Sequence, residues 1–291
     1  MRIAIASGKG GAGKTTVAAS LAAVWNGPLI LVDMDVEAPN LHLFLHPDLS
    51  AEEKVFLEVP RLEEDRCIAC GKCRNICRFK AIALFGKRLS IFPDMCHGCG
   101  GCFAVCGQNA LVEAKRELGV LREGTALGHR FLMGRSRIGE AMSPPLLRAL
   151  QNRLDSMLLS ASADVLLDSP PGVSCPAMTV AREADMILLV AEPTPFGFHD
   201  FRLAHQAVRS LGKPIAVVVN RAGLGDAQVA EYCREHELRI LAELPFDPDA
   251  AGSYSRGELV ARTSPEWHER FIALASNVRD FFKEGGTCAR L

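Results

Sequence analysis

The chain has 291 residues, 48% of them hydrophobic, and its 33 basic and 34 acidic residues leave a net charge of −1. That length and apolar content suit one large α/β domain or two smaller ones around a substantial core. The balanced charge excludes a broad basic surface for nucleic acid and leaves room only for a local patch.

No apolar run reaches the roughly 18 residues of a membrane span, so no transmembrane helix and no stable membrane insertion are expected. The first predicted strand begins at residue 2, which leaves no room for a signal peptide. The expected location is cytoplasmic, where thiols stay reduced. The 11 cysteines therefore read as metal ligands rather than disulfides.

Ile3-Ala4-Ile5-Ala6 predicts a strand, and Val17 to Ala23 predicts a helix. Between them, Gly8 to Thr15 fits G-x-x-x-x-G-K-[ST], the phosphate-binding loop. Gly8, Gly10, Gly11 and Gly13 let the backbone curl, so that N–H groups around Ala12 converge on one anion. The helix N-terminus, at Lys14, Thr15 and Thr16, adds the positive end of its dipole. Lys14 would hold the β- and γ-phosphates of ATP, and Thr15 would ligate Mg²⁺. A plain glycine-rich turn is the competing reading.

Lys9 follows the first glycine, giving Lys-Gly-Gly-Ala-Gly-Lys-Thr-Thr. This resembles the loop of the MinD/ParA/Mrp/nitrogenase-iron-protein group of ATPases. The resemblance implies an ATP-dependent dimer, either of two copies or with a similar ATPase. In it, Lys9 contacts the nucleotide held by the other subunit. A solvated loop lysine is the alternative.

Pro28 to Asp35 predicts a second strand ending in acidic residues, as a parallel strand facing a ligand does. The run Val32-Asp33-Met34-Asp35-Val36 with Asn40-Leu41 resembles the first switch of the MinD group. The resemblance implies that Asp35 orients or deprotonates the attacking water, making Lys9, Lys14 and Asp35 the catalytic set. A solvated turn aspartate is the competing reading, and it suits Asp33 better than Asp35. Residues 46–66, mixed and charged with Pro47 and Pro60, read as a connection leaving this domain.

Cys67, Cys70, Cys73 and Cys77 follow C-x2-C-x2-C-x3-C, and Cys96, Cys99, Cys102 and Cys106 repeat it 29 residues later. This is the bacterial two-cluster ferredoxin pattern, in which the fourth cysteine of each run ligates the other cluster. One [4Fe–4S] cluster is accordingly assigned to Cys67, Cys70, Cys73 and Cys106. The second takes Cys96, Cys99, Cys102 and Cys77. Two zinc sites are the alternative. Arg78 and Gly107 stand where proline usually follows the fourth cysteine, which bears on cluster potential more than on ligation. His97 reads as a surface residue and not a ligand.

Ile82 to Phe85 and Leu89 to Phe92 flank Gly86-Lys87-Arg88 and predict a hairpin. The module spans 62–114 and interrupts an ATPase domain of 1–61 and 115–291. Residues 122–143, rich in Gly, Arg and Ser, carry no assignment. A helix over Pro145 to Leu159 leads to Asp164-Val165-Leu166-Leu167-Asp168, a strand whose final Asp168 would hold Mg²⁺ through water. Pro170-Pro171-Gly172 resembles the second switch of the same family, which implies that the Gly172 N–H meets the γ-phosphate.

Cys175 lies where the nitrogenase iron protein has a cluster-bridging cysteine, but reads as a small buried residue. Cys233 and Cys288 belong to no motif. Met186 to Ala191 and Ile215 to Arg221 predict further strands, with a helix from about His199 between them. Asn220 ends its strand as the base-recognition asparagine of this family does, and an amide both donates to and accepts from adenine. Glu192-Pro193-Thr194-Pro195 resembles MinD-type ATPases that carry an inserted ferredoxin. Leu241 to Asp247 predicts the last strand and an adenine-side loop. In Pro265 to Lys283, Trp267, Phe271, Leu274 and Phe281 share a side suited to packing on the sheet. The ending Cys288-Ala289-Arg290-Leu291 is similar to a prenylation box that Arg290 breaks.

The expected fold is a doubly wound, mostly parallel P-loop NTPase sheet with an inserted small α+β bacterial-ferredoxin-like domain. The expected function is ATP hydrolysis coupled to electron transfer through the two clusters, with a redox protein as partner. An iron–sulfur or metallocluster carrier ATPase with a client protein is the alternative, followed by a positioning ATPase with redox sensing.

Overall fold

The computed structural model describes residues 1–285; Cys288 and the Cys288-Ala289-Arg290-Leu291 ending lie outside them. In chain order the first elements are β1 (Arg2–Ala6), α1 (Lys14–Val24), β2 (Leu29–Asp33), α2 (His42–Leu45) and β3 (Asp48–Leu62). The cysteine region follows with α3 (Lys72–Ile76), β4 (Ile82–Phe85), β5 (Arg88–Ile91) and α4 (Gly101–Ala104). Then come β6 (Leu111–Ala126), β7 (His129–Ser136), α5 (Pro144–Ser160), β8 (Asp164–Asp168), α6 (Cys175–Glu183) and β9 (Met186–Ala191). The chain closes with α7 (Pro195–Arg209), β10 (Ile215–Ala222), α8 (Gln228–Glu235), β11 (Arg239–Pro245), α9 (Pro248–Ser255), α10 (Val260–Thr263) and α11 (Pro265–Lys283).

Nine strands form one sheet in the order β11-β10-β9-β1-β8-β2-β7-β6-β3, and β4 with β5 forms a separate antiparallel hairpin. The pairs from β11 through β7 are all parallel. The inner strands are unbroken apolar runs because helices cover both faces of such a sheet. From β1 the chain runs to β2 on one side, and from β8 it crosses β1 to reach β9 on the other. The loop after β1 therefore opens at a switch point, where ligand crevices form. In register, Ile5 and Asp33 both sit beside Asp168, so the acidic strand ends share one edge.

Two compact units emerge: one of Met1–Glu52, Leu121–Arg135 and the chain from Leu147 onward, the other of Glu53–Val120 and Ser136–Leu146. The smaller contains both cysteine runs. In the larger, α1 is buried nearly all round, and α11 buries Trp267, Phe271, Leu274 and Phe281 in the same core. Fully burying each such side chain stabilises by about 1.5–3 kcal/mol.

Two stretches depart from expectation. Residues 46–66 are not a mere connection, because β3 occupies fifteen of them. Its Glu52, Glu53 and Lys54 are exposed on a strand at the sheet edge, where charge discourages pairing with another chain. Those charges hid the alternation of Val55, Leu57 and Val59. Residues 122–143 contain the end of β6 and all of β7, joined by Leu127 and Gly128 at φ of 55° and 80°. A tight hairpin turn needs two such residues, and leucine there is an unusual signal.

Candidate functional site

The loop after β1 and the N-terminus of α1 line a cleft of about 270 Å³ in the larger unit. Gly10, Gly11, Gly13, Lys14, Thr15 and Thr16 form one wall, with Asp35, Asn40, Asp168 and Asn220 around it. At Gly13, φ is +98°, and an added Cβ would lie 2.1 Å from Asn220 Nδ2. That nitrogen donates to the Ala12 carbonyl at 2.9 Å, so Asn220 holds the loop closed from the side.

Thr15 Oγ1 lies 2.7 Å from Asp168 Oδ2 and 2.8 Å from Asn40 Oδ1. Asp168 Oδ1 is buried with no hydrogen-bond partner. A buried carboxylate oxygen left without a donor is costly unless a cation or water reaches it, so Thr15 and Asp168 fit a hydrated Mg²⁺. Burial pushes the Asp168 carboxyl up to about 6, against the opposing pull of Thr15 and Lys14. Burial likewise lowers Lys14 while Asp168 and Asp35 raise it, and burial raises Asp35. A polyanion with its metal would relieve these mismatched charges.

Asp33 is fully buried, not a solvated turn residue. Its carboxylate accepts from the backbone N–H of Asp35 at 3.1 Å, Asn40 at 3.0 Å and Leu41 at 2.9 Å. It therefore shapes the loop that carries Asp35. Burial and the neighbouring Asp168 hold its carboxyl well above the usual range.

Phe44, Phe246, Tyr254, Trp267 and Phe271 also line the cleft. Trp267 Nε1 donates to Asp247 Oδ2 at 2.8 Å, which orients the indole.

In the smaller unit, the 29-residue repeat is a repeat of backbone. Ala69 and Gly98, Gly71 and Gly100, and Lys80 and Asn109 form three equivalent pairs, all at positive φ. At Gly98 a Cβ would come within 2.6 Å of Leu57 Cδ1. Glu63 N donates to Ala110 O at 2.8 Å, and its counterpart Phe92 N donates to Ala81 O at 2.8 Å. Each bond ties the lead-in of one run to the exit of the other.

The consequence is an exchange of the fourth cysteines. Cys67, Cys70, Cys73 and Cys106 line one cavity, while Cys96, Cys99, Cys102 and Cys77 line a second. Gly98 N donates to Cys96 Sγ at 3.4 Å, and Ala110 N donates to Cys106 Sγ at 3.3 Å. Such N–H···S bonds stabilise charge on sulfur. Burial pushes the Cys102 thiol up to about 11 and raises Cys73. No three His, Cys, Asp or Glu side chains among the described residues are grouped to hold a metal ion. Each cavity is lined by four sulfur donors, a donor type that a multi-iron cluster takes.

A family model described as the CobQ/CobB/MinD/ParA nucleotide binding domain matches residues 3–260. The chain belongs to this family. Among relatives, an uncharacterised protein of Methanocaldococcus jannaschii is 29% identical over 284 residues, covering 97% of each chain. An iron-sulfur cluster carrier protein of Aquifex aeolicus is 24% identical over 149 residues, 45% of this chain and 41% of that one. The fold is that of the septum site-determining protein MinD of Pyrococcus horikoshii, solved with Mg-ADP, at a TM-score of 0.61, 20% identity and 99% coverage of both.

As a member of the CobQ/CobB/MinD/ParA family, the chain has a nucleotide binding domain, and the loop and strand ends that line the cleft lie within the matched residues. Gly172 N donates to Ser7 O at 2.9 Å. Lys9 Nζ pairs with Glu192 Oε2 at 3.1 Å. Cys175 is exposed at the start of α6, not buried. Cys233 is buried, and burial pushes its thiol up to about 12. His97 is exposed and stacks on Phe79 with ring centroids 3.6 Å apart.

Sequence reasoning missed Glu192 as the partner of Lys9 and missed the aromatic wall. Its only signal for the first was an acidic residue directly after an apolar strand. For the second, no spacing joins Phe44 to Tyr254 and Trp267. No helix among the described residues is long and apolar enough to cross a membrane.

Proposed function

We propose that this chain is an ATP-hydrolysing iron–sulfur protein that dimerises on ATP and couples the nucleotide to electron transfer through two [4Fe–4S] clusters. The observation that carries the reading is the exchange of Cys77 and Cys106 between two four-thiol cavities, in a chain that also has the Lys14–Thr15–Asp168 cleft. Eight thiols committed in this way suit resident clusters more than passing cargo.

Under this reading 62–114 is a ferredoxin-like module within an ATPase domain of 1–61 and 115–291. When bound, the clusters supply one-electron transfer. Lys14 and the N–H groups around Gly10 and Gly11 neutralise the phosphates. Thr15 and Asp168 hold Mg²⁺, Asp168 through water. Asp35 orients or deprotonates the attacking water. Gly172 leaves Ser7 for the γ-phosphate. Lys9 reaches the nucleotide of a second copy or of a similar ATPase, and Asn220 faces the base. The location is the cytoplasm and the further partner is a redox protein.

A second reading, a cluster carrier ATPase with a client protein, is favoured by the likeness to the Aquifex aeolicus carrier over 45% of the chain.

Anaerobic iron and sulfide analysis comes first; stoichiometric zinc without sulfide overturns both readings. A redox titration followed by EPR then compares no nucleotide, ADP and a non-hydrolysable ATP analogue, repeated in Asp35→Ala. Coupling energies of about 1–3 kcal/mol correspond to midpoint shifts of roughly 40–130 mV for a one-electron couple. Identical midpoints, with an unchanged electron-transfer rate, leave the carrier reading, which transfer of iron and sulfide to an apo-protein then tests.

A further inference from the structure

Glu192 stands directly after β9 and its side chain is only 8% exposed. A buried carboxylate needs counter-charge, and both oxygens face a cation, although Oε2 accepts no hydrogen bond. Oε2 lies 3.1 Å from Lys9 Nζ, and Oε1 lies 3.3 Å from Arg221 Nη1. The two cations are far more open, with side chains 30% and 43% exposed. Glu192 is thus the fixed member, and either cation has water within reach.

Lys9 is absent from the walls of its own cleft, although Gly10 and Gly11 beside it line that cleft. Its backbone is tied as well. Ser7 Oγ donates to the Lys9 carbonyl at 2.6 Å, and Gly172 N donates to Ser7 O at 2.9 Å. A continuous set of contacts therefore runs from the turn after Asp168, through Ser7 and Lys9, to Glu192 and Arg221.

We propose that Glu192 is a positioning residue that holds Lys9 out of its own cleft and competes for its amine with the nucleotide bound to a second copy of the chain. This rests on the reading of Lys9 given under the proposed function. The second cation is what makes the arrangement reversible. When Lys9 leaves for a phosphate, Arg221 stays as counter-ion, so no buried charge is left unpaired. Phosphate and Glu192 compete for one amine, and the half-open position of Lys9 keeps the exchange cheap.

The test measures dimer dissociation constants by sedimentation velocity at saturating ATP analogue, with nucleotide affinity and melting temperature recorded alongside. Glu192→Gln keeps the shape and removes the charge. Freed from one partly exposed ion pair, it should dimerise about two- to fivefold more tightly. Glu192→Asp, which keeps the charge but shortens the reach, should shift the same way. The gain should vanish in Lys9→Ala/Glu192→Gln, since Glu192 acts through Lys9; a merely structural glutamate would weaken the dimer and lower the melting temperature instead. A wild-type chain that dimerises while both variants do no better overturns this proposal alone. A gain that survives without Lys9 also overturns it. A wild-type chain that stays monomeric overturns the dimer reading, and this proposal with it.

Discussion

Cys77 opens onto the cavity of Cys96, not onto the one lined by Cys67, Cys70 and Cys73 of its own run. The backbone bond from Phe92 to Ala81 brings the exit of the first run beside the entrance of the second. Cys77→Ser should therefore mimic Cys99→Ser and leave the other site intact. Iron should fall from about eight to about four atoms per chain, since each cluster carries four. EPR of the reduced protein should show the same surviving signal in both variants. A Cys77→Ser spectrum matching Cys73→Ser would mean that each run closes on itself.

Lys14 and Lys9 should separate binding from assembly. Lys14 is buried at the cleft wall, whereas Lys9 faces Glu192. A hydrogen bond to a charged group contributes roughly 1.5–3 kcal/mol, so Lys14→Ala should bind nucleotide about 10- to 150-fold more weakly. Lys9→Ala should bind ATP as the parent does and remain monomeric. Calorimetry and light scattering with ATP decide; an ATP-dependent dimer in Lys9→Ala refutes its role.

Gly13→Ala should damage the loop where Gly10→Ala does not. At Gly13 the new Cβ meets Asn220 Nδ2 at 2.1 Å with φ at +98°, while nothing lies within 4 Å of one at Gly10. Strain of this kind costs about 1–3 kcal/mol, and the Asn220–Ala12 bond breaks with it. Denaturant unfolding should show the loss in Gly13→Ala alone, together with weaker nucleotide binding.

His205 should make the larger unit acid-sensitive. It is 1% exposed, accepts or donates through Nδ1 to the Tyr232 hydroxyl at 2.9 Å, and its Nε2 has no partner. Burial lowers its pKa to about 4. The unfolded chain therefore binds the proton more readily, so stability rises with pH from about 4 to about 6.5 and is lost as pH falls through that window. The loss should be on the order of 1–3 kcal/mol. Melting temperatures of wild type and His205→Gln, compared across pH 4–7, should converge at low pH and differ in slope.

Local spacing carries what the sequence alone determined. The loop from Gly8 to Thr15 is a short run of glycines leading into a helix start, so a local motif specifies it. The cysteine runs repeat because two equivalent backbones are built from equivalent sequence, down to the left-handed residues at 69 and 98. The parallel strands announce themselves as apolar runs, and α11 begins and ends where Pro265 and Lys283 predict.

Tertiary structure decided the rest, wherever the meaning of a residue depends on one far away in the chain. Asp33 and Asp35 differ by one position in a turn, yet three N–H groups fold around the first and bury it. Glu192 and Arg221 acquire their relation to Lys9 only when β9 pairs with β1 and β10 with β9. β3 stayed hidden because a strand at a sheet edge keeps its charges in water, and so lacks the apolar signature that burial imposes on its neighbours.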